Sequence, residues 1–207
     1  KPDRIALYNY AHMPQRIPAQ RLIHATDIPG TAEKLEIFTD SIRRLTEAGY
    51  IYIGMDHFAL PTDSLATALE TGGLQRNFQG YSTHAECDVI GVGVSAISRI
   101  NDSFSQNVTE ISKYKAAITK DILPIKRGVN LTTDDRIRAD LIQQIMCDGV
   151  IDYSDFGDGH DIFFHRYFSE ELGCLDELEN DDLIEINDAG FKVTPKGRIF
   201  LRNIAMK

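Results

Sequence analysis

The chain reads as an α/β protein. βα units come first, followed by a mostly helical part with a winged-helix-like order of elements, and the two meet near residue 106. Three observations predict this. Residues 4–10 and 50–53 are rich in aliphatic, β-branched and aromatic side chains, as strands are. Between them Leu35, Phe38, Ile42 and Leu45 recur at helical spacing. Beyond residue 106, helical periodicities are interrupted by a hairpin pattern, residues 183–186, then Asn187-Asp188-Ala189-Gly190, then 191–193.

In chain order, residues 4–10 form the first strand, with Asn9-Tyr10-Ala11-His12-Met13-Pro14 as its polar exit. A strand this apolar needs partners on both edges, so the chain is expected to be a piece of a longer protein. Arg16, Arg21 and His24 follow in a loop or short helix. Thr31 reads as the N-cap of the first helix, with Glu33 in its first turn and Gly49 at its end. Strand, helix, strand is a βαβ unit, which makes its strands parallel and puts their exits on one face. Asn9 to His12 and Asp56 to Phe58 therefore converge, where α/β folds place ligands. Position alone leaves Asp56-His57 equally open to a structural role as a strand-end pair.

After Pro61, Thr62 or Asp63 caps a short helix through Leu65 and Leu69, stopped by Gly72-Gly73. Residues 74–83 are polar, aromatic and without clear period, as a binding loop is. In residues 88–100 small glycines alternate with branched residues, as in a strand whose backbone lies close to something else. Asn107 with Glu110 caps a helix carrying Ile111 and Ile118, and Thr132 with Asp135 opens another carrying Ile137, Leu141 and Ile145. Phe164, Tyr167, Phe168 and Leu172 share a third helix, and Thr194-Pro195 starts the last one after the hairpin. The expected division is residues 1–106 and 107–207.

Composition narrows the function. A net charge of -9 argues against unselective binding to nucleic acid or to an acidic membrane surface. No apolar run approaches the ~20 residues of a membrane helix. Cys87, Cys147 and Cys174 are odd in number and far apart, which predicts a reducing cytoplasm and no disulfide framework. His84 with Cys87, and His160 with His165, lack the spacing of a zinc site. Asp152, Asp155, Asp158 and Asp161 read as a solvated loop, because the glutamate that closes a calcium loop is missing. Near the C-terminal hairpin, Lys196, Arg198 and Arg202 are opposed by Asp176, Glu177, Glu179, Asp181 and Asp182, which favours a packing module over a nucleic-acid wing.

Several stretches together resemble one family. They are residues 8–14, Gly54-Met55-Asp56-His57-Phe58-Ala59, Arg76-Asn77-Phe78-Gln79-Gly80-Tyr81, and Gly91-Val92-Gly93-Val94-Ser95-Ala96-Ile97. Val193-Thr194-Pro195-Lys196-Gly197-Arg198 and Arg202-Asn203-Ile204 also match. The chain resembles the C-terminal part of bacterial oxygen-independent coproporphyrinogen III oxidases, radical S-adenosylmethionine (SAM) enzymes of haem biosynthesis. The resemblance implies the last βα units of an incomplete (β/α) radical-SAM barrel. It implies oxidative decarboxylation of two propionates of coproporphyrinogen III to vinyl groups. It also implies two SAM molecules per full-length enzyme and a 4Fe-4S cluster bound by residues upstream of this chain, which alone is expected to be inactive.

Residue by residue, Ala11 matches a contact to the second SAM and Ile97 a contact to the first, while Phe78 and Gln79 match the active-site loop. His57, as a catalytic residue, and Arg76, as a substrate contact, are expected from position alone. Arg16, Arg21, Arg76 and Arg99 are candidates to hold substrate carboxylates. The full-length protein is expected to be a cytoplasmic monomer, with no nucleic-acid or membrane partner. Two other readings stay open: a haem-binding or haem-delivering relative of the same superfamily, and a winged-helix interaction module.

Overall fold

The structure, a computed structural model, describes residues 1–85 and 87–207. The first strand, β1 (Arg4–Ala6), is shorter than expected. Residues 7–10 leave it as irregular chain, anchored where the Leu7 amide donates to the Asp56 carbonyl at 2.8 Å. Helix α1 (Thr31–Glu47) is capped by Gly30 rather than Thr31, which is already helical, and Gly49 at φ +86° turns the chain out of it. Strand β2 (Ile51–Gly54) follows as expected.

The first two strands run in one direction as expected, but a third strand that was not expected lies between them. Gly54 at φ +149° ends β2, Met55 at φ +54° and Asp56 reverse the chain in a two-residue turn, and His57 pairs opposite Gly54. Residues His57–Ala59 thus form a returning strand, β3, rather than an exit loop. The sheet order is β1-β3-β2, with both neighbours antiparallel to β3, so β1 and β2 run in one direction with β3 between them. Phe58 and Ala59 are fully buried by this arrangement.

Helix α2 (Ser64–Thr71) is capped by Asp63, whose Oδ1 accepts from the Leu65 amide at 2.8 Å. The same carboxylate pairs with Arg4 at 2.8 Å and ties α2 to β1. The expected binding loop is a hairpin, β4 (Gln75–Asn77) and β5 (Gly80–Ser82), with Phe78 and Gln79 at its tip. Its polar outer positions hid the strand alternation.

Residues 97–130 then form an antiparallel sheet of which only the first strand was expected: β6 (Ile97–Ile100), β7 (Ser103–Asn107) and β8 (Ile125–Asn130), with α3 (Ile111–Ile118) between the last two. The boundary expected after residue 106 falls inside this sheet. Asn107 caps no helix. It ends β7, buried, and its amide donates to the Gly93 and Gly91 carbonyls at 2.9 and 3.4 Å. The strand expected over 88–100 is regular only from Ile97, preceded by one bridge from Val89 to Arg99. A Cβ on Gly91 would meet the Ile97 carbonyl oxygen at 2.5 Å, so the close backbone approach expected there is real.

Helix α4 (Thr133–Cys147) opens on the expected capping box of Thr132 and Asp135. Strand β9 (Val150–Asp152) leads into α5 (Tyr153–His160), where a solvated loop was expected. The Asp152 carboxylate accepts from the Ser154 and Asp155 amides, both at 2.9 Å, so the first aspartate of that acidic stretch is a helix cap. The third expected helix is broken at Phe168 into α6 (Phe164–Tyr167) and α7 (Ser169–Leu172), and α8 (Leu175–Asn180) follows. The hairpin β10 (Ile184–Asn187) and β11 (Gly190–Val193) forms as expected, and β11 also pairs with β9. The last helix begins late. Thr194 Oγ1 accepts from the Gly197 amide at 2.9 Å, a 3-10 turn covers Gly197–Phe200, and α9 is Leu201–Ile204.

Two apolar clusters hold these elements. One joins Ile53, Ala59, Leu65, Leu74 and Tyr81; the other joins Ile145, Ile151, Phe168, Ile184 and Leu201. Burying each large side chain contributes about 1.5–3 kcal/mol. The clusters are bolted together by polar contacts: Tyr81 Oη donates to the Met146 carbonyl at 2.8 Å, and Arg198 Nη2 donates to the Ile53 carbonyl at 2.8 Å.

Candidate functional site

Those bolts place the C-terminal segment opposite the β2–β3 turn. Between them lies an open cleft of about 660 Å³. Its walls are residues 7–9 leaving β1, the N-terminal half of α1, the turn Met55-Asp56-His57, the β4–β5 hairpin from Arg76 to Gly80, and residues 199–203. A smaller cavity of about 220 Å³ sits within the C-terminal core, between α4 and α9, lined mostly by apolar side chains with Arg138, Glu171 and Lys207 at its edge. Convergent polar groups mark the larger cleft as the candidate site.

At its floor His57 Nδ1 and Asp56 Oδ1 are 2.7 Å apart, both side chains largely buried. The pairing orients the imidazole and leaves Nε2 as the ring nitrogen available to a ligand. The Nε2 edge lies against Gly80: a Cβ there would fall 2.6 Å from Nε2. The His57 ring also meets the Tyr81 ring edge-on, with centroids 5.4 Å apart. Arg76 lies over the same tyrosine, 5.1 Å from its centroid, and its buried Nη1 has no hydrogen-bond partner among the described residues. From α4, the Gln143 amide brackets Arg76. With the amide turned so that both its groups find partners, its nitrogen donates to the Arg76 carbonyl at 2.9 Å and its oxygen accepts from the Arg76 amide at 2.7 Å, which fixes the strand that carries the guanidinium.

Burial works to raise the Asp56 carboxyl, but the His57 hydrogen bond and the charges of His57 and Arg76 outweigh it and hold the group below its ordinary 3.8. Burial also pushes the Tyr52 phenol, which donates to the Met55 carbonyl at 2.9 Å, up to about 12. The sign for Asp56 follows from linkage. A depressed folded-state value adds stability above 3.8, and that contribution is lost as pH falls through the lower folded value. Denaturant unfolding should therefore show Asp56→Asn less stable than the parent near about pH 7, with the gap closing below about pH 4. A gap unchanged across that range would mean that the carboxylate charge contributes nothing.

The cleft brings together four of the site residues expected from sequence: His57, Arg76, Phe78 and Gln79. Phe78 is 45% exposed at the hairpin tip, free to stack on a ligand. Ala11 and Ile97 are not among its lining residues. The Ala11 carbonyl accepts from Gln20 at 3.0 Å on the exposed chain beyond β1, and Ile97 pairs with Gln106 in β6. Arg16, Arg21 and Arg99 also lie outside the lining. Arg99 faces a neighbouring cavity on the other side of the hairpin, of about 600 Å³. Two basic residues that line the cleft, Lys34 and Arg202, were not singled out as ligand contacts from sequence. Each sits on a helix, Lys34 half-buried and Arg202 exposed, and only the tertiary fold brings both to one cleft.

Among the described residues no three His, Cys, Asp or Glu side chains gather as a metal site. Cys87 is exposed, Cys174 partly so, and Cys147 is buried, with burial pushing its thiol up to about 12. Among the described residues these cysteines do not gather as a cluster site. The cleft itself fits a carboxylate ligand, because a buried guanidinium nitrogen lacks a partner there.

No protein-family model matches the chain. Among curated proteins it is 45% identical over 206 residues to the oxygen-independent coproporphyrinogen III oxidase of Pseudomonas aeruginosa, an alignment covering 100% of this chain and 45% of that protein. It is 44% identical over 205 residues to the enzyme of the same name from Escherichia coli, covering 99% and 45%. The Helicobacter pylori protein of that name is 38% identical over 206 residues, covering 100% and 45%. The chain thus spans about half the length of the curated relatives it matches. A solved structure described as coproporphyrinogen III oxidase (HemN) from Escherichia coli, a radical SAM enzyme, superposes with a TM-score of 0.94 at 44% identity, covering 100% of this chain and 48% of that one.

Proposed function

On the premise that this chain is similar along its whole length to oxygen-independent coproporphyrinogen III oxidases, we propose that it is the C-terminal part of such an enzyme. In this reading the βα units at the start of the chain are the last units of an incomplete radical-SAM barrel, and the mostly helical part beyond the β6-β7-β8 sheet is a winged-helix-like domain packed against them. The full-length protein converts two propionates of coproporphyrinogen III to vinyl groups and yields protoporphyrinogen IX. The observation that carries the reading is 38–45% identity over essentially the entire chain to proteins of that one name.

SAM, with a 4Fe-4S cluster on upstream residues, supplies the group that removes hydrogen from the propionate side chain. This chain's own part is binding and orientation. Arg76, with an unpartnered buried nitrogen, takes a substrate carboxylate. Asp56 holds His57 in one orientation so that Nε2 meets the reacting side chain. Phe78 and Gln79 at the hairpin tip cover the reacting group with an aromatic face and an amide. Ala11 and Ile97 contact SAM molecules outside the cleft lining, on the strength of the resemblance of their motifs. The protein works as a cytoplasmic monomer without nucleic-acid or membrane partners; no described helix is long and apolar enough to cross a membrane.

The test is an anaerobic assay of the full-length protein with coproporphyrinogen III, SAM and a low-potential reductant. It should release carbon dioxide and form vinyl product, and Gln79→Ala should slow this roughly tenfold or more. Tight haem binding without vinyl product would replace the reading with that of a haem-handling relative.

A further inference from the structure

We propose that the cleft selects its ligand by the number of carboxylates it carries, and that Lys34 and Arg202 are the specificity-determining residues acting beside Arg76. The ligand class is an apolar body with several peripheral carboxylates. Naming that ligand a porphyrinogen rests on the function proposed above; the charge argument does not.

The three cations reach the cleft from three separate elements, α1, β4 and α9. Among the described residues none of them forms an ion pair or a side-chain hydrogen bond, and Lys34 is half-buried in that state. Four arginines elsewhere, Arg43, Arg44, Arg136 and Arg138, sit on carboxylates. The chain as a whole has 31 Asp and Glu against 22 Lys and Arg. Carboxylates are in excess, yet the cleft lining holds one, Asp56, and His57 occupies it at 2.7 Å. Three cations without a direct ion-pair partner thus face one space that holds a single carboxylate. A half-buried ammonium without a partner gives up hydration for no return, and a ligand carboxylate supplies the missing counter-charge. Leu35, Phe38 and Phe200 line the same cleft and offer apolar surface between the charges. The geometry suits anchors at the rim of a flat apolar body, with Arg202 supplying a two-pronged contact and Lys34 a point charge.

The test measures equilibrium binding to the full-length protein by fluorescence. One probe is coproporphyrin III, the oxidised and unreactive form with four carboxylates. The other is mesoporphyrin IX, with two. The parent should prefer the four-carboxylate probe. Lys34→Gln and Arg202→Gln should each weaken that probe roughly tenfold, while the two-carboxylate probe changes little, so the preference collapses. Arg202→Lys should keep part of it, since charge remains but the fork is lost. Unfolding curves that match the parent show that each variant is folded. Unchanged binding of both probes, or equal weakening of both, overturns the proposal. If the parent forms no vinyl product but the binding pattern holds, the assigned reaction fails and the carboxylate site stands. If vinyl product forms and neither variant moves Kd or KM, the reaction stands and this site falls.

Discussion

Gly54→Ala is expected to destabilise the fold by about 2–5 kcal/mol, more than any surface substitution near the cleft. Two costs combine. Gly54 sits at φ +149°, a conformation that a side chain adopts only with strain of about 1–3 kcal/mol. A Cβ there would also fall 2.6 Å from Tyr81 Oη and 3.2 Å from its Cζ. Tyr81 is 7% exposed and cannot swing into solvent, and moving it removes the hydrogen bond to the Met146 carbonyl, leaving that acceptor buried and unmet. Leu201 of the second cluster lies 3.5 Å from the same point, so the strain falls where the two clusters meet. Denaturant unfolding measures the loss. A value under about 1 kcal/mol would show that the junction yields freely. Tyr81→Phe separates the two costs: it removes the hydroxyl that collides, so Gly54→Ala should lose less in that background than in the parent.

That glycine also marks where reading the sequence met its limit. The run 50–53 was legible as a strand because it is β-branched and aromatic, and Ile53 is indeed fully buried. The return strand was not legible. Three residues beginning with a histidine carry no alternation, and Pro61 soon after suggests a loop. The capping box at Thr132 and the hairpin around Asn187 were legible because both are local and written in side-chain chemistry. Helix α5 was obscured by its own glycines and aspartates, although Asp152 does what an N-cap does. The sheet β6-β7-β8 has serines, arginines and asparagines along its strands, and no pattern of period two distinguishes it from loop.

The candidate site divides in the same way. Convergence of Asn9–His12 with Asp56–Phe58 was deduced from a parallel βαβ unit. Of those residues Asn9, Asp56 and His57 line the cleft, and the hydrogen bond that ties the segments runs from the Leu7 amide, ahead of the expected stretch, to the Asp56 carbonyl. The strand direction was right, the inserted β3 was not foreseen, and direction is what brings the two segments together. Phe78 and Gln79 came from motif resemblance, since an aromatic and an amide in a polar stretch are otherwise ordinary. Lys34 and Arg202 are 168 residues apart and joined by no motif. Their shared cleft depends on Arg198 holding the C-terminal segment against the Ile53 carbonyl, a long-range fact that spacing cannot encode.

Gly80→Ala should reduce vinyl formation by the full-length protein about a hundredfold while costing only about 1–3 kcal/mol of stability. The position is again one of positive φ, +138°, and a Cβ would stand 2.6 Å from His57 Nε2 and 3.0 Å from Cε1. Two responses are open to the chain, and both damage the site. The imidazole can rotate away, which breaks the 2.7 Å contact between Nδ1 and Asp56 and releases the orientation of Nε2. Otherwise the hairpin shifts, and because Asn77 pairs with Gly80 across it, Phe78 and Gln79 at the tip move with the strand. Displacing a reacting group by about 1 Å is enough for a loss of that size. A double-mutant cycle with His57→Ala decides between them. If Gly80→Ala acts through the imidazole, it should cost almost nothing further once the ring is gone. A full and additive loss in the His57→Ala background would place the damage at the hairpin tip instead, and parent-like activity of Gly80→Ala would remove the hairpin–histidine contact from the catalytic arrangement altogether.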